Sequence, residues 1–231
     1  MTPPVRRPSV TRLLRELLEV PQVALAPLRG AAEVPVTGHG EPVLVIPGFM
    51  ADDASTSVLR KSLTAAGYQA FGWRLGFNRG FRENLTEQLV ARMEEVHSRC
   101  GGQKIVLLGW SLGGLYAREL GRLRPELVRL VMTMGSPFSG DMHANHAWRI
   151  YEAINDHKVT EIPGGIDFRA KPPVRTVALW SRLDGVVLPE SSSGASDEVD
   201  ERVELAVTHM GFAASKPAVA QVIAVLAREL A

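Results

Sequence analysis

Lys104-Ile105-Val106-Leu107-Leu108-Gly109-Trp110-Ser111-Leu112-Gly113-Gly114-Leu115-Tyr116-Ala117 is the stretch from which the rest of this 231-residue chain is read. It opens as a short apolar strand and turns at a glycine-flanked corner carrying one serine. It then continues as a helix with a small-residue face of Gly113, Gly114 and Ala117. Gly109-Trp110-Ser111-Leu112-Gly113 is a G-x-S-x-G pattern. A hydroxyl held on a sharp strand-to-helix turn needs neighbours without side chains, because the flanking backbones come close. Such a turn lifts the Ser111 hydroxyl off the sheet and sets it beside the unpaired N–H groups that open the helix. Three fixed residues alone arise by chance in roughly one chain in ten of this length. The weight therefore rests on context: a buried strand leads in and a close-packing helix leads out.

The same alternation extends in both directions. Pro42–Ile46 is a continuous apolar run, the mark of a strand buried on both faces. Residues 52–66 read as a helix stopped by Gly67, 68–73 as a strand, and 84–100 as a helix with Leu85, Leu89, Met93 and Val96 at helical spacing. Strands follow at 127–134, 174–180 and 203–207, and Pro217 opens a last helix striped by Val219, Val222, Ile223, Val225 and Leu226. This order predicts an α/β fold, a mostly parallel sheet of about six strands with helices on both faces. Residues 38–231 form that domain, with a small cap insertion at 136–172, and residues 1–37 form an amphipathic helix and linker.

Two readings of that first helix stay open. Val10, Leu13, Leu14, Leu17 and Leu18 share one face, with Arg12, Arg15, Glu16 and Glu19 opposite. The apolar face docks onto the domain, or it meets a membrane surface with Arg6, Arg7, Arg12 and Arg15 toward anionic lipid. Pro21 is expected to stop the helix. The nine residues before it are expected to begin disordered.

Composition narrows the partners. Hydrophobic residues make up 45% and charged residues 22%, ordinary for a globular chain, and the formal net charge is +1. No global field recruits nucleic acid. The single cysteine, Cys100, excludes an intramolecular disulfide. No apolar run approaches the roughly 18 residues needed to span a bilayer, and the start lacks a long apolar signal core. The expected location is cytoplasmic, with peripheral membrane contact through the first helix as the alternative.

The Ser111 corner in this setting resembles that of the α/β-hydrolases, and more narrowly of the small bacterial lipases and esterases. The resemblance covers roughly residues 38–230 but rests on four short motifs. In that family the loop after the first strand usually reads His-Gly-x, with one oxyanion-hole N–H following the glycine; here Pro47-Gly48-Phe49-Met50 stands there. The resemblance thus implies the N–H of Phe49 as one donor, with Met50 the lesser candidate. The motif's own geometry supplies the other from Leu112. Asp184-Gly185-Val186-Val187, just past a strand end, resembles the family's acid turn, and His209 lies between the last strand and last helix, where the family keeps its base. Asp197 and Asp200 also precede His209, in a stretch expected to be a mobile, solvated loop. The order Ser111, Asp184, His209 is that of this fold, not of the chymotrypsin or subtilisin types.

The resemblance implies an enzyme: a carboxylic ester hydrolase working through a Ser-His-Asp triad, an oxyanion hole and an acyl-enzyme, with no cofactor. Thioester hydrolysis or acyl transfer on the same triad, and a binding module without turnover, are the alternatives. Met50, Trp110, Phe138, Trp148 and Met210 are expected to line the pocket for a small ester or lipid-like substrate. His143 and His146 have the spacing of a metal pair, but no third ligand converges in sequence, so no metal is expected. The natural substrate and the oligomeric state are not readable from the residues.

Overall fold

Six parallel strands run in the order β2-β1-β3-β4-β5-β6: β1 (Pro42–Ile46), β2 (Gln69–Gly72), β3 (Ile105–Trp110), β4 (Val128–Met134), β5 (Arg175–Trp180) and β6 (Glu201–Glu204). This is a computed structural model that describes residues 6–161 and 167–231. Met1 to Val5 of the proline- and arginine-rich start, and 162–166 of the cap insertion, lie outside the described residues. Alternate residues of each strand face opposite sides, which sorts the apolar side chains into two cores. Val43, Val45, Val106, Leu108, Met132 and Leu179 pack on one side against α2 (Ser57–Ala65) and α8 (Lys216–Leu230). Leu44, Ile46, Leu107 and Val131 pack on the other against α3 (Leu85–Arg99) and α4 (Leu112–Leu123). Because both faces are covered, β1 and β3 are buried at every residue, as their unbroken apolar runs require.

Parallel strands bring all six C-terminal ends to one edge. The chain steps from β1 out to β2 and then crosses back past β1 to β3, from which it continues outward on the other side, so the crevice above β1 and β3 is the switch point where open sheets bind ligands. Phe49 follows β1 there and Ser111 follows β3.

Four sequence expectations are corrected. The last strand lies at Glu201–Glu204 rather than 203–207. It is an edge strand with one solvated face, so Glu201, Arg202 and Glu204 disguise it as acidic loop. The serine-rich stretch expected to be mobile opens as a short helix, α6 (Pro189–Ser193), with Ser191 and Ser192 buried. Pro21 does not end the first helix: α1 runs Val10–Ala24, because a proline in the last turn forfeits only its own N–H bond. Nor does the apolar face of α1 dock on the domain. Leu14, Leu17 and Leu18 are exposed, and the buried residue is Glu16.

Candidate active site

Ser111 sits between β3 and α4 at φ 54° and ψ −122°, a strained conformation for a residue with a side chain. The glycines around it pay for that corner with space. A Cβ on Gly109 would strike the Gly113 backbone, and one on Gly113 would strike the carbonyl of Ile46 at the end of β1. The Ser111 N–H donates to Met134 O at 2.8 Å, which ties the corner to β4.

Asp184 and His209 meet at the same edge. Asp184 is fully buried, and its Oδ1 accepts the N–H groups of Val186 and Val187, each at 2.8 Å. Its Oδ2 accepts His209 Nδ1 at 2.7 Å. With the proton on Nδ1 in that bond, Nε2 carries the free lone pair. The backbone of His209 is held as well: Trp110 Nε1 donates to its carbonyl at 3.0 Å, and the two rings lie 5.9 Å apart. Gly135, on the turn after β4, leaves the room for this pair. A Cβ there would stand 3.0 Å from Asp184 Oδ2 and 3.1 Å from His209 Nδ1. Burial pushes the imidazole toward its neutral form, but the charge and hydrogen bond of Asp184, joined by the charge of Glu16, outweigh it and raise the His209 pKa.

Among the described residues, neither the Phe49 nor the Leu112 N–H has a hydrogen-bond partner. The Met50 N–H does: it donates to Asn78 O at 2.8 Å, which removes Met50 as the alternative donor. Asn78, from the loop after β2, clamps this whole turn. Its Nδ2 donates to Pro47 O at 2.9 Å and its own N–H to Ala51 O at 2.8 Å, while its Oδ1 accepts from Tyr116 Oη and Gly80 N–H, both at 3.1 Å. Asn78 is 1% exposed, so its role is to shape the turn rather than to meet solvent or ligand. Little in its glycine- and arginine-rich loop marks it, since the side-chain bonds that clamp the turn reach Pro47 and Tyr116, 31 and 38 residues away.

A cavity with about 500 Å³ of empty space, counted out to its open mouth, borders Ser111, Leu112 and Phe49. Its walls are mainly apolar: Leu115, Met142, Trp148, Tyr151, Val186 and Val187. Of the five expected pocket residues only Trp148, on α5 (Trp148–Ile154), lines it. Phe138 is fully buried beneath the Arg118 guanidinium, 4.2 Å from ring centroid to Cζ, and Trp110 is buried against His209. Met210 packs on the α2/α8 core, and Met50 is half exposed outside the cavity.

The remaining candidates separate. Asp200 sits at the start of β6, the opposite edge of the sheet, bonded to Thr176 N–H and Lys171. His143 bonds Asp141, whereas His146 Nε2 meets Pro8 O, so the two imidazoles serve different partners. Among the described residues no group of three His, Cys, Asp or Glu is placed to hold a metal, and no helix is long and apolar enough to cross a membrane. Buried Arg118, lowered by desolvation to a pKa of about 10, donates to the carbonyls of Phe168, Arg169, Ala170 and Glu198 and so staples the end of the cap to α4.

No family model matches the chain. It is 39% identical over 59 residues to a triacylglycerol lipase of Pseudarthrobacter phenanthrenivorans; the match takes in 26% of this chain and spans 18% of that lipase. Among solved structures it is similar to the carboxylesterase EstE1, cloned from a metagenomic library, with a TM-score of 0.63, 13% identity, and coverage of 96% of this chain and 99% of the other. It is also similar to MGS-MChE2, an α/β-hydrolase enzyme from the metagenome of lagoon sediments at Mar Chica, Morocco. There the TM-score is 0.58 at 18% identity, with 84% of this chain and 93% of that chain covered. The chain has the α/β-hydrolase fold.

Proposed function

We propose that this chain is a serine hydrolase that cleaves carboxylic esters with an apolar acyl group. The observation that carries the reading is one of convergence. A strained serine and two unpartnered N–H groups border one apolar cavity, and the buried Asp184–His209 pair lies at the same edge of the sheet. Its match to a lipase and its esterase-like fold neighbours agree with this.

The chemistry follows from the geometry. His209 Nε2 takes the Ser111 proton as that oxygen bonds to the ester carbonyl carbon, and Asp184 holds the imidazolium that forms. Among the described residues no hydrogen bond joins Ser111 and His209, and such bonds often form only when substrate is bound. The Phe49 and Leu112 N–H groups receive the oxyanion, each worth about 3 kcal/mol in such sites. The tetrahedral centre collapses, the C–O bond to the alcohol breaks, and His209 gives the alcohol its proton. Water, deprotonated by His209, then releases the acid from Ser111. Leu115, Met142, Trp148 and Val187 receive the acyl chain.

The test is hydrolysis of p-nitrophenyl esters from acetate to palmitate, with Ser111→Ala alongside. Turnover that falls by about 10³-fold or more in the variant is expected, with an optimum chain length that measures the cavity. Absence of serine-dependent ester turnover overturns the reading in favour of thioester, acyl-transfer or purely binding roles.

A further inference from the structure

The first helix reaches the active site in an unexpected way. Glu16, 1% exposed, is turned inward beneath α1. Its Oε1 accepts the N–H of Gly185, next to Asp184, at 2.8 Å, and the N–H of His209 at 2.7 Å. Its Oε2 accepts the N–H of Met210 at 2.9 Å. One carboxylate oxygen therefore bridges the acid turn and the base turn across 169 and 193 residues of sequence. The fit is close: a Cβ on Gly185 would collide with the Arg12 carbonyl. Without Glu16, three backbone donors at the heart of the site would lack a partner.

We propose that Glu16 is a positioning residue, which locks the Asp184 and His209 turns in register so that the imidazole stays aimed at Ser111. The proposal rests on the triad reading above. A carboxylate suits the task because it accepts several N–H bonds at once and its charge strengthens each. The charges around the imidazole are those of Asp184 and Glu16, with Glu19 further out beside Gly211. Both of the nearer charges favour the protonated ring.

The experiment compares wild type, Glu16→Gln, and Arg29→Ala as a control. Arg29 ties the N-terminal segment to Ala214 O at 2.7 Å, away from Asp184. Glutamine keeps the size of Glu16 but turns one acceptor into a donor facing an N–H. For Glu16→Gln, kcat is expected to fall roughly tenfold or more with KM within about twofold. Histidine-resolved NMR titration should give a lower pKa for His209, and the acid limb of kcat/KM should move to lower pH. Arg29→Ala should lower the melting temperature and move neither. A folded Glu16→Gln protein with an unchanged His209 titration overturns the proposal, even if its melting temperature falls. The titration needs no turnover, so a wild type that cleaves no ester would sink the ester reading without deciding this one.

The outer face of α1 carries a second inference on separate observations. Val10, Leu14, Leu17 and Leu18 are 66%, 56%, 58% and 78% exposed, and at about 100° per residue they fall on one stripe. Contiguous exposed apolar side chains mark an interaction surface. Arg6 precedes the helix and Arg15 flanks the Leu18 edge of the stripe, both exposed, whereas Arg12 lies on the opposite side, its carbonyl against Gly185, and Arg7 is turned onto Trp148 at 5.2 Å. We infer that this face lies on an anionic lipid surface, with leucines in the acyl boundary and guanidinium groups on phosphate.

Co-sedimentation with phosphatidylcholine vesicles, with and without phosphatidylglycerol, decides it. Wild type should partition onto the anionic vesicles and come off with salt. Leu14→Glu with Leu18→Glu should lower partitioning at least about tenfold and leave turnover of a soluble short-chain ester unchanged. Equal partitioning of wild type and variant overturns the inference. So does a wild-type dimer in light scattering that the same double variant dissolves, which would assign the face to a second copy.

Discussion

α1 and α8 are each 15 residues long, each amphipathic, and oriented oppositely toward the protein. α8 buries Val219, Val222, Ile223 and Leu226 against the sheet, while α1 buries a glutamate and exposes its leucines. The difference lies in what each helix covers. The sheet face under α8 is apolar, so an apolar stripe removes the most surface from water. α1 covers the turns at the strand ends, where the groups in need of partners are backbone N–H donors. A leucine there would leave those donors unsatisfied, and a carboxylate binds all three. Helical periodicity thus tells that a helix has two faces but not which face the protein needs.

Four measurements would break or sharpen this contrast. The largest effect is expected in α8: Leu226→Ala should cost about 2–5 kcal/mol in urea denaturation, because it opens a cavity in a fully buried core. Glu16→Leu is next. It extends the apolar character of α1 yet should destabilise by about 1–3 kcal/mol, the cost of stranding buried donors; a gain in stability would mean that α1 can turn over and dock by its leucines. The third effect is one of sign with pH. Because the His209 pKa is raised in the folded chain, its protonated form stabilises the fold below the histidine's unfolded pKa, and that stability is lost as pH rises through the folded value. On the triad proposed above activity runs oppositely, since the base is then required neutral, so kcat/KM should fall as pH drops through the same raised value. An acid limb at or below the ordinary histidine range would break the link to Asp184 and Glu16. The smallest effect belongs to the outer face: Leu18→Ala should change stability by no more than about 0.5 kcal/mol. A loss near that of Leu226→Ala would show that the stripe is covered in solution.

The Ser111 corner was the most legible part of the molecule because its causes are local. Gly109, Ser111 and Gly113 lie within five residues, and the strain at Ser111 is relieved by what its neighbours lack. Asp184 and His209 were legible through strand ends and chain order, and the structure brings them to 2.7 Å. Phe49 was reached through a family likeness and Leu112 through the motif. The free N–H of Phe49 becomes distinct from the engaged N–H of Met50 only through Asn78. The pocket was the least legible. Met50, Trp110, Phe138 and Met210 flank the right motifs, but each turn sends its side chain away from the cavity.

The sequence by itself determined the alternation of strand and helix, the buried parallel sheet and the placement of Ser111, Asp184 and His209 at strand ends on one edge. Those follow from hydrophobic periodicity and from glycines placed where backbones cross, both of them properties of short windows. Tertiary structure alone decided which way α1 faces, that Asn78 shapes the turn after β1 and that Glu16 bridges the Asp184 and His209 turns. Each of these is a hydrogen-bond obligation of a backbone group, and the partner that meets it lies 31 to 194 residues away. No pattern within one stretch of chain records which distant side chain will satisfy a buried N–H.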